Sequence, residues 1–164
     1  MNYPFCPYRP LQVGYGVEFG DGTQSIALEG GSSRYRAGVE GNAHVVSASF
    51  GLEGEDYSAF LGFWRAKKRD VEPFEIELQI DGHELRRYVA RFVPRTLRLT
   101  GVSGNVFTLT VKLEVETLPE YEDETLDYWS SLVTMLAIYG SIPAAREIMN
   151  LFATLANEDL PHAQ

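Results

Sequence analysis

The sequence is poor in the residues that build metal and catalytic centres. It has one cysteine, Cys6, and three histidines, His44, His83 and His162. A single thiol cannot form an internal disulfide, and it has no second thiol with which to share a metal ion. The histidines lack the His-x-x-x-His or carboxylate spacing of zinc sites. We therefore predict no bound metal.

Longer catalytic motifs are also missing. There is no Gly-x-Ser-x-Gly elbow, and Gly14, Gly16 and Gly20 miss the dinucleotide-binding spacing by one residue inside a β pattern. Carboxylate pairs such as that at 75 and 77 occupy the polar parity of a strand, which predicts a solvated face. Asp21 stands between two glycines without the further oxygen ligands of a calcium site, which predicts a tight turn. We predict that the protein is not an enzyme and holds no cofactor.

Long hydrophobic runs are absent as well. No apolar stretch approaches the ~20 residues of a membrane-spanning helix, and the first residues do not resemble a secretory leader, so we expect neither membrane contact nor secretion. The net charge is −9, and residues 118–164 contain eight acids and one arginine, for −7, which leaves −2 for the other 117 residues. Because nucleic-acid binding depends on clustered Lys and Arg, we do not predict it as the main task.

What the sequence does contain is a β-rich stretch from Pro73 to Glu116. Its last part alternates apolar and polar residues without a fault, which is typical of a strand with one buried face. The apolar positions of that strand are Phe107, Leu109, Val111, Leu113 and Val115. Upstream, the alternation from Phe74 to Ile80 runs into Asp81-Gly82, which predicts a two-residue hairpin turn. Because the return strand changes parity, we also predict a β-bulge near Arg86 and Arg87.

The first third of the chain predicts an arm and three strands. Residues 1–10, rich in proline and tyrosine, indicate an extended arm. Alternation over 11–19, followed by Gly20-Asp21-Gly22 and a run carrying Ile26 and Leu28, predicts a β-hairpin. The Gly, Ser and Arg content of 29–42 predicts an exposed loop, and a strand follows over 43–50.

One helix is predicted in this part of the chain, from Gly54 to Lys67. Its apolar residues Tyr57, Phe60, Leu61 and Trp64 fall at i, i+3, i+4 and i+7, which indicates one buried face. Acidic residues begin the helix and basic residues end it, as the helix dipole favours. We predict that this stripe packs on the sheet.

Beyond Pro119 the pattern becomes helical. After an acidic linker over 120–124, two amphipathic helices are predicted, the first stopped by Gly140 and the second opened by Ser141-Ile142-Pro143. The predicted organisation is an arm (1–10), a β-rich core (11–119) and a C-terminal extension (120–164). The predicted fold class is α+β: a small antiparallel β-sandwich or barrel with one helix packed on the sheet, plus a C-terminal antiparallel helical hairpin.

Ten residues are candidates for contacts with other subunits, because aromatic residues and arginine are enriched at interfaces. They are Tyr3, Phe5 and Tyr8 in the arm, Arg34, Tyr35 and Arg36 in the loop, Arg86, Arg87 and Arg91 in the return strand, and Trp129 in the extension. The dense set of arginines from Arg86 to Arg98 has two other interpretations, phosphate contacts and salt bridges with the acidic strands. A protein interface or salt bridges are favoured over phosphate contacts.

Several segments together resemble the minor tail protein M family of long-tailed bacteriophages. Val17-Glu18-Phe19-Gly20-Asp21-Gly22 with Gln24, and an aromatic helix containing Asp56-Tyr57-Ser58-Ala59-Phe60-Leu61, come first. Pro73-Phe74, Ala90-Arg91-Phe92-Val93 and the strand Leu109-Thr110-Val111-Lys112-Leu113-Glu114-Val115-Glu116 follow in the same order. The resemblance covers about residues 11 to 117 and leaves the helical extension outside. It implies a structural protein of the tail tip, related in fold to distal tail proteins and without catalytic residues.

The resemblance also implies partners and a location. Six copies would form a ring that connects the tail tube to the baseplate hub, with the tail tube protein on one side and the hub or tape measure protein on the other. DNA would pass through the lumen without specific binding, because acidic walls repel its phosphates. The protein would reside in the virion tail tip, after assembly in the host cytoplasm.

Two other functions stay open. A tail tube or tail terminator ring would have subunits of similar size with similar sheets. A small β-barrel that binds a carbohydrate or another ligand would use Trp64 and Tyr88 as an exposed stacking platform. A hydrolase is a distant third.

Overall fold

In the computed structural model, the described residues are 3–27, 30–36, 38, 42–118 and 124–156, with the side chains of 124–126 outside the description. Leu28 of the predicted hairpin, most of the predicted acidic linker and residues 157–164 of the predicted extension lie outside these ranges. The chain divides into two compact units, 1–118 and 119–164.

The described part of the first unit contains nine strands and one helix. They are β1 (Phe5–Cys6), β2 (Leu11–Glu18), β3 (Gln24–Ile26), β4 (Arg34–Arg36), β5 (His44–Glu53), α1 (Gly54–Asp70), β6 (Phe74–Leu78), β7 (Arg86–Phe92), β8 (Arg98–Ser103) and β9 (Val106–Val115). Seven strands form one sheet in the order β1-β6-β7-β9-β5-β2, with β8 also paired to β9, and β3 pairs only with β4. The second unit contains α2 (Glu124–Tyr139) and α3 (Ile142–Thr154). The predicted α+β class is confirmed.

Strand β9 is the centre of the sheet. One of its edges pairs with β5 over the whole length of both strands, from His44 opposite Val115 to Glu53 opposite Val106. The other edge pairs first with β8 and then with β7. Its alternate residues from Leu109 to Val115 are buried, as the alternation predicts. The register is well determined because a slip by one residue would expose the entire apolar set.

The main sheet is strongly curled. The Tyr15 hydroxyl of β2 donates a hydrogen bond to the Gln79 carbonyl oxygen just after β6, at 3.0 Å, although three strands separate β2 from β6 in the sheet. The strands found in the described ranges nevertheless do not close into a barrel, and β1 runs parallel to β6, so the predicted antiparallel sandwich or barrel is corrected to one open, mixed sheet. The curl lets the sheet bury its inner face largely against itself.

Helix α1 packs an aromatic face against one end of the curl. Phe60 is fully buried and its ring lies 5.0 Å from that of Phe50, while the Phe63 ring meets Phe74 edge-on at 5.3 Å. Tyr57 stacks on Phe107 at 4.3 Å. The predicted helix is confirmed, but its buried face is rotated.

The rotation replaces two residues of the predicted stripe. Phe63, outside the predicted stripe, packs against the core, whereas Leu61 and Trp64 are half-buried and do not join it. A helix has two candidate faces when aromatic residues stand at both i+6 and i+7, and the shape of the sheet decides between them.

The connection between β6 and β7 is longer than predicted. Phe74 pairs with Ala90, Ile76 with Tyr88 and Leu78 with Arg86, in one unbroken register. The predicted two-residue turn at Asp81-Gly82 and the bulge near Arg86 and Arg87 are therefore wrong. Residues 79–85 form an irregular loop. This loop shifts the pairing of the two strands by one residue relative to the two-residue turn, so that Tyr88 points into the core without a bulge.

The predicted hairpin between 11–19 and the following run is also wrong. Strand β2 pairs antiparallel with β5, and β3 pairs with β4, which lies inside the predicted loop 29–42. At the turn, the Asp21 carboxylate accepts a hydrogen bond from the Thr23 amide at 2.8 Å, and hydrogen bonds from Thr23 lower the pKa of Asp21. This polar turn separates two sheets instead of joining two paired strands.

The arm is part of the subunit's own sheet. Phe5 and Cys6 form β1 beside β6, and the Glu75 amide donates to the Pro4 carbonyl oxygen at 3.0 Å. The side chain of Cys6 is buried in the core. The predicted extended arm, with its candidate contacts to other subunits, is therefore corrected to an edge strand of its own sheet.

Cys6 provides a direct measurement of that docking. Burial raises the pKa of the Cys6 thiol, which keeps it protonated, and the thiolate is the reactive form. We expect the native protein to react with a thiol reagent about 100-fold more slowly than the protein in urea. Because the chain has one cysteine, the rate reports on this strand alone. Native and unfolded rates within about threefold of each other would show that the arm is not held on the sheet.

In the second unit, α2 and α3 turn on a short connection. Gly140 ends α2 with φ 75°, and Ser141 caps α3 by accepting a hydrogen bond from the Ala144 amide at 3.4 Å, as the sequence predicts. The helix directions differ by 115°, so the pair is oblique and not closely antiparallel. Taken singly, the helices of the described residues are each too short or too polar to span a membrane; only α2 from Asp127 and α3 together, with their bend, meet such a test of length and composition.

Candidate interaction surfaces

Two strands of the main sheet present open edges. The outer edge of β2 pairs with no other described strand, and Val13 on it is 83% exposed. Strand β8 pairs only with β9 among the described strands, and Leu99 and Val102 on it are exposed. Unpaired edges with exposed apolar residues favour pairing with another chain.

The second candidate surface is the two-stranded ribbon formed by β3 and β4. It carries three of the predicted interface residues, Arg34, Tyr35 and Arg36, all exposed, and Tyr35 is 75% exposed. The structure describes no carboxylate within salt-bridge distance of Arg34 or Arg36. A two-stranded ribbon is marginally stable alone, so contacts with another surface would stabilise it.

The predicted interface residues of the arm mostly contact their own subunit. The Tyr8 ring meets Phe60 edge-on at 5.8 Å, and its hydroxyl donates to the Asp56 carboxylate at 3.2 Å. Burial and this hydrogen bond raise the pKa of Tyr8. Phe5 is partly exposed beneath the Arg87 guanidinium, 4.7 Å from its ring centre, and Tyr3 is half-buried.

The predicted arginines of β7 form ion pairs with carboxylates of the same unit. Arg87 lies 3.8 Å from Glu75, and Arg91 lies 3.1 Å from Glu116. Arg86 lies 4.0 Å from Glu84. The predicted salt bridges with the acidic strands are therefore confirmed for Arg87 and Arg91, whereas the partner of Arg86 lies in the loop 79–85.

Arg95 and Arg98 differ, because no described carboxylate lies within salt-bridge distance of either. Arg95 borders a groove of about 380 Å³ between the second half of α1 and residues 91–97. The groove also holds Trp64 and Lys68, whose ammonium lies 5.1 Å from the centre of the Trp64 ring. On its other side, Arg95 joins Arg98 at a second cleft, over β5 and β9. We call the first of these the basic groove.

The last predicted interface residue, Trp129, is 41% exposed on α2 and packs edge-on against Tyr128 at 5.3 Å. Other exposed apolar residues of the helical unit are Val133, Ile138, Tyr139, Ile142, Leu151, Phe152 and Leu155. Only Leu132 and Ala145 are buried among the described residues of this unit. Its apolar surface is large for its size.

A buried polar network was missed by the sequence analysis. His44 accepts a hydrogen bond from the Gly20 amide at Nδ1, at 3.0 Å, and its Nε2 lies 3.4 Å from Asp81. The other Asp81 oxygen accepts from the Tyr88 hydroxyl at 3.0 Å. These three side chains come from β5, the loop 79–85 and β7, and no local pattern links them. The network fastens the loop to the sheet.

Two further sequence hypotheses can be compared with the structure. Tyr88 is 1% exposed, so a stacking platform that includes it is wrong, whereas Trp64 lines the basic groove. Among the described residues, no group of three or more His, Cys, Asp or Glu side chains is placed to hold a metal ion.

Together, these features define a mixed α+β protein whose curled sheet has a packed interior and whose outside carries open strand edges, an exposed ribbon and a basic groove. Compared with protein-family models, curated proteins and solved structures, the chain gives no match.

Proposed function

We propose that the protein is a structural component of a phage tail tip, where copies of it form a ring that connects the tail tube to the baseplate hub. The observation that carries the proposal is the number of surfaces suited to self-association on one small unit. These are the β2 edge, the β8 edge and the ribbon of β3 and β4. A ring needs heterologous contacts, in which two different surfaces of each subunit meet.

The order of elements supports the same proposal. The turn at Gly20-Asp21-Gly22, the aromatic helix α1 and the long strand β9 carry the resemblance to the minor tail protein M family. In a ring of such subunits, the tail tube protein would bind one side and the hub or tape measure protein the other. DNA would cross the lumen without specific binding.

The test is to determine the assembly state of the purified protein. We expect native mass spectrometry to show closed oligomers and negative-stain images to show single-layer rings. The resemblance to the tail protein family implies six copies in each ring. Long cylinders would instead identify a tail tube protein. A monomer at concentrations of about 100 µM would contradict a self-assembling ring, since specific interfaces of standard size give dissociation constants from micromolar downward.

The ribbon offers a variant for this test, and α1 offers a control. Because Tyr35 is exposed and has no role in the core, Tyr35→Asp should weaken assembly by about tenfold or more while leaving the melting temperature within about 2 °C. Arg69→Asp, at the exposed end of α1, is the control and should assemble normally. Normal assembly of Tyr35→Asp would exclude the ribbon from the interface.

A further inference from the structure

The basic groove combines an apolar floor with a cationic rim. Phe92, Pro94 and Leu97 line it beside Trp64. Two of its cations already hold carboxylates of the same unit, since Lys67 lies 2.8 Å from Glu72 and Arg91 lies 3.1 Å from Glu116. Lys68 and Arg95, on the same rim, have no carboxylate within salt-bridge distance in the part of the chain that the structure describes. The rim therefore binds carboxylates and has capacity for more.

Backbone strain is concentrated at the same place. Two non-glycine residues of the described ranges have positive φ, Val71 at 52° and Arg95 at 64°, and both line the basic groove. The left-handed conformation is unfavourable for arginine and more so for a β-branched valine. Val71 adopts it at the C-terminal end of α1, a common place for a left-handed residue, and strain of this kind also clusters at ligand-binding positions. Here it places Arg95 between the groove and the neighbouring cleft that contains Arg98.

The chemistry of the groove selects a particular kind of occupant. An apolar floor with Trp64 fits hydrophobic or aromatic side chains, and the cationic rim fits carboxylates interspersed with them. Polymeric phosphate without apolar groups fits less well, because it would leave the apolar floor of Trp64, Phe92 and Leu97 without contacts. The expected ligand is an acidic peptide that also carries apolar residues.

The chain itself contains such a peptide. Residues 118–127 read Leu-Pro-Glu-Tyr-Glu-Asp-Glu-Thr-Leu-Asp, with five acids between 120 and 127 and apolar residues among them. We call this the acidic segment. It lies at the point where the charge of the chain becomes strongly negative, and its sign is opposite to that of the groove.

We propose that the basic groove of one subunit binds the acidic segment of the next copy around the ring. The inference rests on the proposed function, because a heterologous interface requires two different and complementary surfaces on every subunit. Groove and segment are such a pair. The contact would hold neighbours together and would weaken as salt is added, because the ions screen its charges.

The test uses charge reversal on both sides of the proposed contact. The groove variant is Lys68→Glu with Arg95→Glu, and the segment variant is Glu120→Lys with Glu122→Lys. We expect each variant alone to associate about 100-fold more weakly than the wild type, as measured by native mass spectrometry over a dilution series. The control for the groove is Arg65→Glu with Arg69→Glu, which makes the same charge change on α1 outside the groove and should change association less than threefold.

Mixing the two variants decides whether the contact joins different copies. In a mixture, each reversed groove meets a reversed segment and each native groove meets a native segment. We expect oligomers that contain equal numbers of the two variants, which their masses reveal. If the mixture stays monomeric, the acidic segment of one copy does not bind the groove of another, and the proposal is overturned. The same result is expected if each segment binds the groove of its own subunit, which would also overturn the proposal.

Other outcomes separate this inference from the proposed function. If the wild type and the groove variant form the same ring equally well, the inference about the groove is overturned and the proposed function stands. If the wild type is a monomer, both the inference and the proposed function are overturned. Loss of binding to a single-stranded oligonucleotide, with normal assembly of the groove variant, would instead identify a nucleic-acid site. Circular dichroism and melting temperature verify folding, and Lys68→Gln with Arg95→Gln replaces the groove variant if reversal unfolds it.

Discussion

Replacing Phe60 with alanine is expected to lower the free energy of unfolding by about 3–5 kcal/mol. Phe60 is 0% exposed and is surrounded by the rings of Tyr8, Phe50 and Phe92, at 5.8, 5.0 and 6.3 Å. The variant loses the transfer free energy of the ring and leaves a cavity among residues of the arm, β5 and β7, which cannot all move into it. Urea denaturation with a shared m-value measures the loss.

Trp64 on the same helix provides the contrast. It is the larger residue, but it is half-buried at the basic groove and outside the core. We expect Trp64→Ala to cost less, about 1 kcal/mol, because removing this ring widens a groove that water can enter and does not leave a closed cavity in the core. Equal losses for the two variants would show that the buried face of α1 includes Trp64 and that the helix is rotated relative to our description.

Replacing Asp81 with alanine is expected to cost about 2–4 kcal/mol. Its carboxylate accepts from the Tyr88 hydroxyl at 3.0 Å and lies 3.4 Å from Nε2 of His44, in a region where both partners are buried. The His44 Nδ1 atom already accepts from a backbone amide, which leaves Nε2 as the nitrogen that faces Asp81. The variant removes the acceptor of the Tyr88 hydroxyl and the carboxylate beside His44.

Two further variants test whether the network is the cause. Asp81→Asn keeps one carbonyl acceptor and should lose about half as much free energy. A double-mutant cycle of Asp81→Ala with Tyr88→Phe should give a coupling of about 1 kcal/mol or more, because the two groups share one hydrogen bond. Additive losses would mean that water replaces Asp81 as the acceptor and that the loop 79–85 is not fastened to the sheet by this contact.

The network and the groove indicate different tasks for polar residues in this fold. Within the described residues, buried side-chain nitrogen and oxygen atoms all have hydrogen-bond partners, so the interior polar groups are accounted for structurally. On the surface, Lys68, Arg95 and Arg98 have no carboxylate partner in the described ranges. An external partner gains the most binding free energy at such a position, where a charge without an ion-pair partner stands beside an apolar groove.

The sequence analysis was most accurate where the signal is local. The alternation in β9 and β5 predicted which residues are buried, because side chains of a strand alternate between its two faces whatever the partner strand is. The helix α1 and the break between α2 and α3 were predicted from spacing and caps, which depend on residues within one or two turns. The acidic character of the segment after Pro119 is a property of composition alone.

It was wrong where the answer depends on which distant strands meet. Gly20-Asp21-Gly22 is a good turn, yet β2 pairs with β5, because Tyr15 and Val17 of β2 pack there against the core that β5 helps to form. Asp81-Gly82 is among the strongest hairpin signals, yet β6 and β7 do not pair in the register of a two-residue turn. They pair in the register that buries Tyr88. Local turn propensity is worth about 1 kcal/mol, which is less than the burial of one large side chain.

The sequence by itself therefore determined the α+β class, the buried parity of the long strands, the helical unit and the uneven charge. The tertiary structure decided the partners of β1, β2 and β3, the face of α1 that packs, the polar network of His44, Asp81 and Tyr88, and the position of Arg95 beside Trp64. The reason is one of distance along the chain. Periodicity and caps act between near neighbours, whereas strand partners, grooves and networks depend on burying one common core from segments that the sequence separates by tens of residues.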